Sequence, residues 1–291
     1  MELVTARLID AARDARRAAT LAVLLGTTLM ASLTVSAAPV CERIVATGNP
    51  QYPPILWVDP ENEERLIGAG AELLEKALAQ SNIQLDMLNV GPWSRAQEEV
   101  RSGRVDMLAG AFLTRQRLAH MDYIYPAYAE VPSVIFVRSD NIFPYGGWED
   151  LRGKIGTTVL NNSFGTGFDR FAEQYLKIEP VPSIEQSFQK LLRGRADYVI
   201  YERYQGLAMA QQQGIVEQID MLDGSLMNEQ LYLTLSHNSA CNSPDLRAAL
   251  AQAMMDLSRT DVPQQLLEKY REVWAQQLVT SGAVPGPVIN E

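Results

Sequence analysis

Val100-Arg101-Ser102-Gly103-Arg104-Val105-Asp106 is echoed later in the chain by Leu192-Arg193-Gly194-Arg195-Ala196-Asp197. Each passage ends a helical pattern with a glycine, continues through a basic residue, and reaches an aspartate at the head of a buried strand. The glycine supplies the left-handed residue that stops a helix without a Cβ penalty. The same helix-to-strand unit used twice predicts two similar α/β lobes.

Outward from these passages the chain alternates short β-branched runs with helical patterns. Residues 44–47 read as a strand, followed by a proline-rich loop at 49–54. Residues 71–80 place Leu73, Leu74, Ala77 and Leu78 on one helical face. A strand at 85–90, a helix at 93–101 and a strand at 105–109 follow. After a strand at 134–137 and a loop at 140–148, a second series starts at Lys154-Ile155-Gly156. It includes a helix through 168–176, a helix at 186–193 and a strand at 198–201. A strand at 231–235 precedes two C-terminal helices that begin near Pro244 and Pro263. Strand–helix–strand alternation predicts α/β sheets with mainly parallel neighbours.

The N-terminus reads as an export signal. Arg7, Arg13, Arg16 and Arg17 precede an uncharged stretch at 18–40, with an apolar heart at 21–33 and Val35-Ser36-Ala37 as a small-residue cleavage site. A membrane anchor is the competing reading, since 23 uncharged residues are long enough to span a bilayer; the Ser and Thr residues within the stretch and Pro39 count against it. Cleavage after residue 37 leaves 254 residues with 21 basic and 32 acidic side chains, a balance of about −11. That surface repels nucleic acid and anionic membrane, and no basic stripe interrupts it.

Cys41 and Cys241 are the only cysteines. In an oxidising compartment a lone pair most simply forms one disulfide, two free buried thiols being the other reading. Two cysteines with the scattered His120 and His237 offer no metal-ligand spacing, and nothing calls for a cofactor. No nucleophile elbow and no phosphate-cradling loop occurs.

Eight short passages then stand in a telling order: Tyr52-Pro53-Pro54, residues 68–78, Ser102-Gly103-Arg104-Val105-Asp106, Leu113-Thr114-Arg115-Gln116-Arg117, DYIYPAY at 122–128, Trp148-Glu149-Asp150-Leu151-Arg152-Gly153-Lys154-Ile155-Gly156, GRADYVIYE at 194–202, and residues 270–274. Over residues 44–274 the chain resembles the bacterial extracellular solute-binding proteins of family 3, the polar-amino-acid class. The resemblance implies a type II periplasmic-binding-protein fold, two α/β lobes joined by two hinge strands. Residues 1–37 would be the signal peptide, cleaved near Ala37. Lobe 1 would comprise 38–134 and 233–291, and lobe 2 139–228, with hinges near 133–138 and 226–234. Both cysteines then fall in lobe 1, so a disulfide would leave the hinge free.

The resemblance also implies a site. Arg117 stands where amino-acid-binding members hold the ligand's α-carboxylate, and its planar fork suits a carboxylate better than a lysine would. Thr114 would add a donor. Glu202 stands where relatives carry an aspartate that receives the α-ammonium, and it is one methylene longer. Relatives complete the carboxylate site with a Gly-Thr-Thr stretch; this chain has Asn161-Asn162-Ser163-Phe164-Gly165-Thr166-Gly167 there, so Ser163 and Thr166 compete for the role, with plain N-capping by Ser163 as the alternative. Tyr52, Trp57 and Trp93 lie in cleft-lining loops, Tyr52 being the one most expected at the ligand. Phe112 replaces the usual Ser or Thr beside Arg117.

The function implied is a monomeric periplasmic receptor that closes around a small polar solute, an amino acid or related carboxylate, and serves the membrane permease of an ABC transporter. Two alternatives share the fold: a sensing module for a membrane signalling partner, and an exported cyclohexadienyl-dehydratase-like enzyme with Glu202 as its acid or base.

Overall fold

The computed structural model describes residues 41–282 of the 291. The expected signal peptide lies outside the described residues. The first lobe opens with β1 (Arg43–Thr47), followed by β2 (Gln51–Tyr52), β3 (Leu56–Asp59), β4 (Asn62–Ile67), α1 (Ala69–Leu78), β5 (Gln84–Met87), α2 (Trp93–Ser102) and β6 (Met107–Phe112). A strand of 18 residues, β7 (Met121–Arg138), leads out of it. The second lobe holds β8 (Ile155–Thr157), α3 (Thr166–Tyr175), β9 (Lys177–Ile178), α4 (Ile184–Leu192), β10 (Tyr198–Glu202), α5 (Arg203–Gln212) and β11 (Ile219–Met221). The chain returns through β12 (Met227–Ser236) to α6 (Pro244–Ser258) and α7 (Val262–Thr280).

One nine-stranded sheet runs β5-β1-β6-β12-β7-β10-β8-β9, with β11 beside β7. In the first lobe β1 lies between β5 and β6, parallel to both, and β12 joins antiparallel to β6. The second lobe repeats the plan: β8 lies parallel between β9 and β10, and β7 joins antiparallel to β10. The two long strands pair with each other from Met121↔Ser236 to Ser133↔Met227, and at Ser133 β7 also begins its pairing with β10. A small sheet, β2-β3-β4, sits beside the first lobe.

The echoed passages prove to be the same device. Gly103 and Gly194 adopt positive φ, 79° and 65°, as the helix stops require. In the first lobe the Asp106 amide donates to the Val45 carbonyl at 2.8 Å, and its Oδ2 accepts from the Val45 amide at 2.8 Å. In the second, the Asp197 amide donates to Ile155 O and its Oδ2 accepts from Ile155 N, both at 2.7 Å. Each aspartate thus clamps the third strand of its lobe to the first. Gly103 is also sterically fixed, since a Cβ there would lie 2.4 Å from the Asn238 carbonyl.

Strand β10 shows why the second lobe folds around it. All five residues are buried. Val199 and Tyr201 pack with Phe136, Ile184 and Phe188, whereas Tyr198 and Ile200 pack with Phe164, Phe168 and Leu151. Alternate side chains face opposite sides, so a strand apolar throughout needs helices on both. Each large apolar side chain so covered contributes about 2 kcal/mol. In the first lobe α1 supplies Leu73, Leu74 and Leu78 to the core, as its periodicity predicts.

The structure extends the sequence reading in three places. The strand expected at 134–137 is only the end of the 18-residue β7. The hairpin β3–β4 and helix α5 have no counterpart in that reading. Cys41 and Cys241 are bonded (Cα–Cα 5.1 Å), fastening the start of β1 to the segment between β12 and α6. Among the described residues no helix is long and apolar enough to cross a membrane.

Candidate functional site

Arg117 begins a single turn of 3-10 helix after β6. Its amide donates to Thr114 Oγ1 at 3.1 Å, so Thr114 shapes the turn that aims the arginine. The guanidinium is buried. Nε donates to Gln97 Oε1 at 3.2 Å, Nη1 to the Phe112 carbonyl at 3.0 Å, and Nη2 to the Asn161 carbonyl of the second lobe at 3.2 Å. The Trp93 ring covers its face, 5.2 Å from centroid to Cζ. Burial pushes the arginine's pKa down, an effect offset by Tyr123, Asp169 and Glu202.

Glu202 ends β10 and stands at the N-cap position of α5, where its side chain makes no capping bond. Its side chain is 1 % exposed. Oε1 accepts from Asn162 Nδ2 at 3.3 Å, and Oε2 is buried with no partner. Burial raises its pKa to about 7; the residue's own amide, Asn162 and Arg117 pull the other way. Tyr52, from β2, has a buried hydroxyl that also lacks a partner. Its ring meets Tyr201 edge-on at 6.3 Å. Tyr201 itself bridges the lobes: its hydroxyl accepts from Asn49 Nδ2 at 3.0 Å and donates to the Gln51 carbonyl at 3.2 Å.

These groups enclose a chamber of about 20 Å³, lined by Tyr52, Trp93, Phe112, Arg117, Asn162 and Glu202 together with Asn49, Ile55, Leu56 and Leu231. That volume is room for about one water. Outside it lies a mouth of about 490 Å³, which shares Arg117 and Asn162 with the chamber and adds Gln97, Thr114, Arg115, Asn161, Ser163, Thr166, Asp169 and Arg170.

The structure therefore brings Arg117, Phe112, Tyr52, Trp93 and Glu202 to one chamber. Thr114, Ser163 and Thr166 stand at the mouth instead. The start of α3 is not capped by Ser163: the N-cap residue is Gly165, at φ 88°. Asp169, one turn into the helix, takes the donors there, with Oδ1 accepting from the Phe164 amide at 2.9 Å and Oδ2 from the Ser163 hydroxyl. Trp57 leaves the cleft; it packs on Tyr270 and Trp274 and donates to Gln277.

Five residues with clear roles escape the sequence reading: Gln97, Asn161, Asn162, Asp169 and Tyr201. Asn161 had one available signal. It adopts φ 60°, a conformation that asparagine tolerates better than most residues, and an Asn-Asn pair before a glycine-rich turn marks such a place.

A chamber closed between two α/β lobes and walled by both defines a two-lobed binding protein of the type II periplasmic class. The chain belongs to the bacterial extracellular solute-binding proteins, family 3, whose sequence profile matches residues 44–273. It is therefore a solute-binding receptor by family. Among solved structures it is similar to the P235GK mutant of ArgBP from T. maritima, at 18 % identity and a TM-score of 0.66, covering 79 % of this chain and 96 % of that one. It is equally similar to AbpA of Streptococcus pneumoniae, an amino acid ABC transporter substrate-binding protein bound to L-arginine, at 16 % identity and a TM-score of 0.67, over 80 % and 96 %. A histidine kinase sensor domain with similarity to periplasmic binding proteins matches at 22 % identity and a TM-score of 0.66, over 79 % and 96 %. A comparison with curated protein sequences returns no match.

Proposed function

We propose that the protein is an exported periplasmic receptor whose lobes close on a small polar solute held in the chamber between Arg117 and Glu202. One observation carries the reading. Glu202 Oε2 and the Tyr52 hydroxyl are buried in a chamber walled by both lobes and have no partner there. A buried polar group without a partner costs about 1–3 kcal/mol, and a solute that meets both groups recovers it only when the lobes are closed. Ligand contacts made in one state alone are what shift such an equilibrium.

The lobes are assigned as 38–134 with 233–291, and 139–228. Bending falls on the two crossing strands, near 133–138 and 226–234. The exchange of pairing partners on β7 at Ser133 supports this placement. With both bonded cysteines in one lobe, the disulfide leaves that motion free. The receptor works as a monomer and delivers its solute to the membrane permease of an ABC transporter, after removal of a signal peptide near Ala37. Transport rather than sensing fits the likeness to transporter binding proteins, while the sensor-domain likeness keeps a signalling partner as the second assignment.

Calorimetry against a panel of amino acids, small carboxylates and amines tests the receptor, with small-angle scattering to read closure. Saturable binding with a fall in radius is expected, and loss of both on Glu202→Gln. No binding across the panel sinks the reading. A buried carboxyl that titrates at about 7 is also what an acid–base catalyst needs. Turnover of prephenate or arogenate, abolished by Glu202→Gln, would replace the receptor by the enzyme.

A further inference from the structure

Three of the five N–H donors of Arg117, and the two donors ahead of α3, already meet the protein's own oxygens. On the first lobe, Arg117 spends Nε on Gln97, Nη1 on the Phe112 carbonyl and Nη2 on the Asn161 carbonyl, and its face on Trp93. On the second lobe, the start of α3 is occupied by the Asp169 carboxylate, which takes the Phe164 amide and the Ser163 hydroxyl. The unsatisfied polarity lies at the other end, on Glu202 Oε2 and the Tyr52 hydroxyl.

The charge balance points the same way. Arg117 lies within electrostatic reach of both Asp169 and Glu202, so one cation faces two carboxylates. Arg115 and Arg170 at the mouth are exposed and solvent-screened, which leaves the inner groups to decide the sign. Once Glu202 ionises, the chamber and its mouth together accordingly lack one positive charge. Its walls include the aromatic rings of Tyr52 and Phe112, which suit an organic cation.

We propose that the solute is a small organic amine, anchored by its cation on Glu202 Oε2 and the Tyr52 hydroxyl, and that a carboxylate on the solute is dispensable. This rests on the receptor reading above and narrows it. The solute's cation replaces the missing charge, and Arg117 acts as the tie between lobes.

Matched pairs that differ only by the α-carboxylate test it: arginine and agmatine, lysine and cadaverine, phenylalanine and phenethylamine, with hexanoate as an acid lacking nitrogen. In at least one pair the amine is expected to bind within about threefold of the amino acid or more tightly. Glu202→Gln should weaken that amine by at least about 30-fold, as loss of a buried charge partner does, and Tyr52→Phe by less. If amino acids bind and their amines do not, or if hexanoate binds, the amine proposal is overturned while the receptor stands. If nothing binds, both fall.

Discussion

Arg117 and Asn161 close the cleft on each other: the guanidinium of the first donates to the main-chain carbonyl of the second at 3.2 Å, from one lobe to the other. Gln97 Nε2 donates to the same carbonyl, also at 3.2 Å. Two side chains of the first lobe thus grip one main-chain carbonyl of the second. Replacing Gln97 by Leu removes one of the two donors to Asn161 and the acceptor for Arg117 Nε. A hydrogen bond of this kind contributes about 1 kcal/mol net, so the ratio of closed to open protein should fall about fivefold. The unliganded radius from small-angle scattering should rise, and apparent affinity should weaken by up to that factor. An unchanged radius would mean that the Asn161 carbonyl is not a latch.

Glu202 makes stability depend on pH in a direction opposite to that of most surface acids. Its folded value of about 7 exceeds the ordinary 4.5 because burial disfavours the charge. Between those pH values the folded state binds more protons than the unfolded one, so stability falls as pH rises through the window. The full effect is about 3 kcal/mol. Glu229, half-buried and raised too, adds to it. Glu72, lowered by Lys269 and Tyr270 against its burial, acts below 4.5 and leaves the window clear. Urea melts of the unliganded protein should thus show the highest stability near pH 5, and Glu202→Gln should flatten most of the decline. At pH 8 the variant should be the more stable of the two. A cationic solute reverses the sign by favouring the ionised carboxyl, so its affinity should rise between pH 6 and pH 8.

The alternation of apolar strands and helices was enough to set the two lobes, because α/β sheets covered on both faces leave an unbroken apolar run such as 198–201. The echo of Gly103–Asp106 in Gly194–Asp197 located equivalent joints in each. Arg117 and Glu202 were singled out only through their motifs, and the fold brings both to one chamber. What stayed hidden follows from the physics of the missing groups. Asn161 acts through a carbonyl, which every residue owns, so no residue type announces it. Asp169 fills a helix start that its neighbours Ser163 and Thr166 appeared to offer, and only three-dimensional placement shows which oxygen wins. The unpartnered atoms that face the chamber, on Tyr52 and Glu202, are defined by what fails to reach them.

The disulfide should govern stability and leave binding alone. It spans 200 residues, and on the chain-entropy account closing so long a loop is worth up to about 5 kcal/mol, with a smaller return common in practice. Both cysteines belong to the first lobe, away from the chamber. The double variant Cys41→Ser, Cys241→Ser should melt well below the parent and bind the same solute within about twofold. A large loss of affinity in a folded double variant would show that the bond shapes the cleft.

Asp106 and Asp197 occupy equivalent joints but carry unequal loads. Asp197 accepts one side-chain bond, from the Ile155 amide. Asp106 accepts two, from the Val45 amide and from the Ser239 hydroxyl at 2.6 Å, the second reaching into the segment that also holds Cys241. Hydrogen bonds to a charged acceptor contribute about 1.5–3 kcal/mol each. Asp197→Ala should therefore cost about 2 kcal/mol and Asp106→Ala about 4 kcal/mol in equilibrium denaturation. Ser239→Ala, which removes the second bond together with the one the hydroxyl accepts from the Cys241 amide at 3.0 Å, should cost at least as much as Asp197→Ala. Equal losses for the two aspartates, or no effect at Ser239, would mean that the joints are held by the strand pairing around them rather than by the carboxylates.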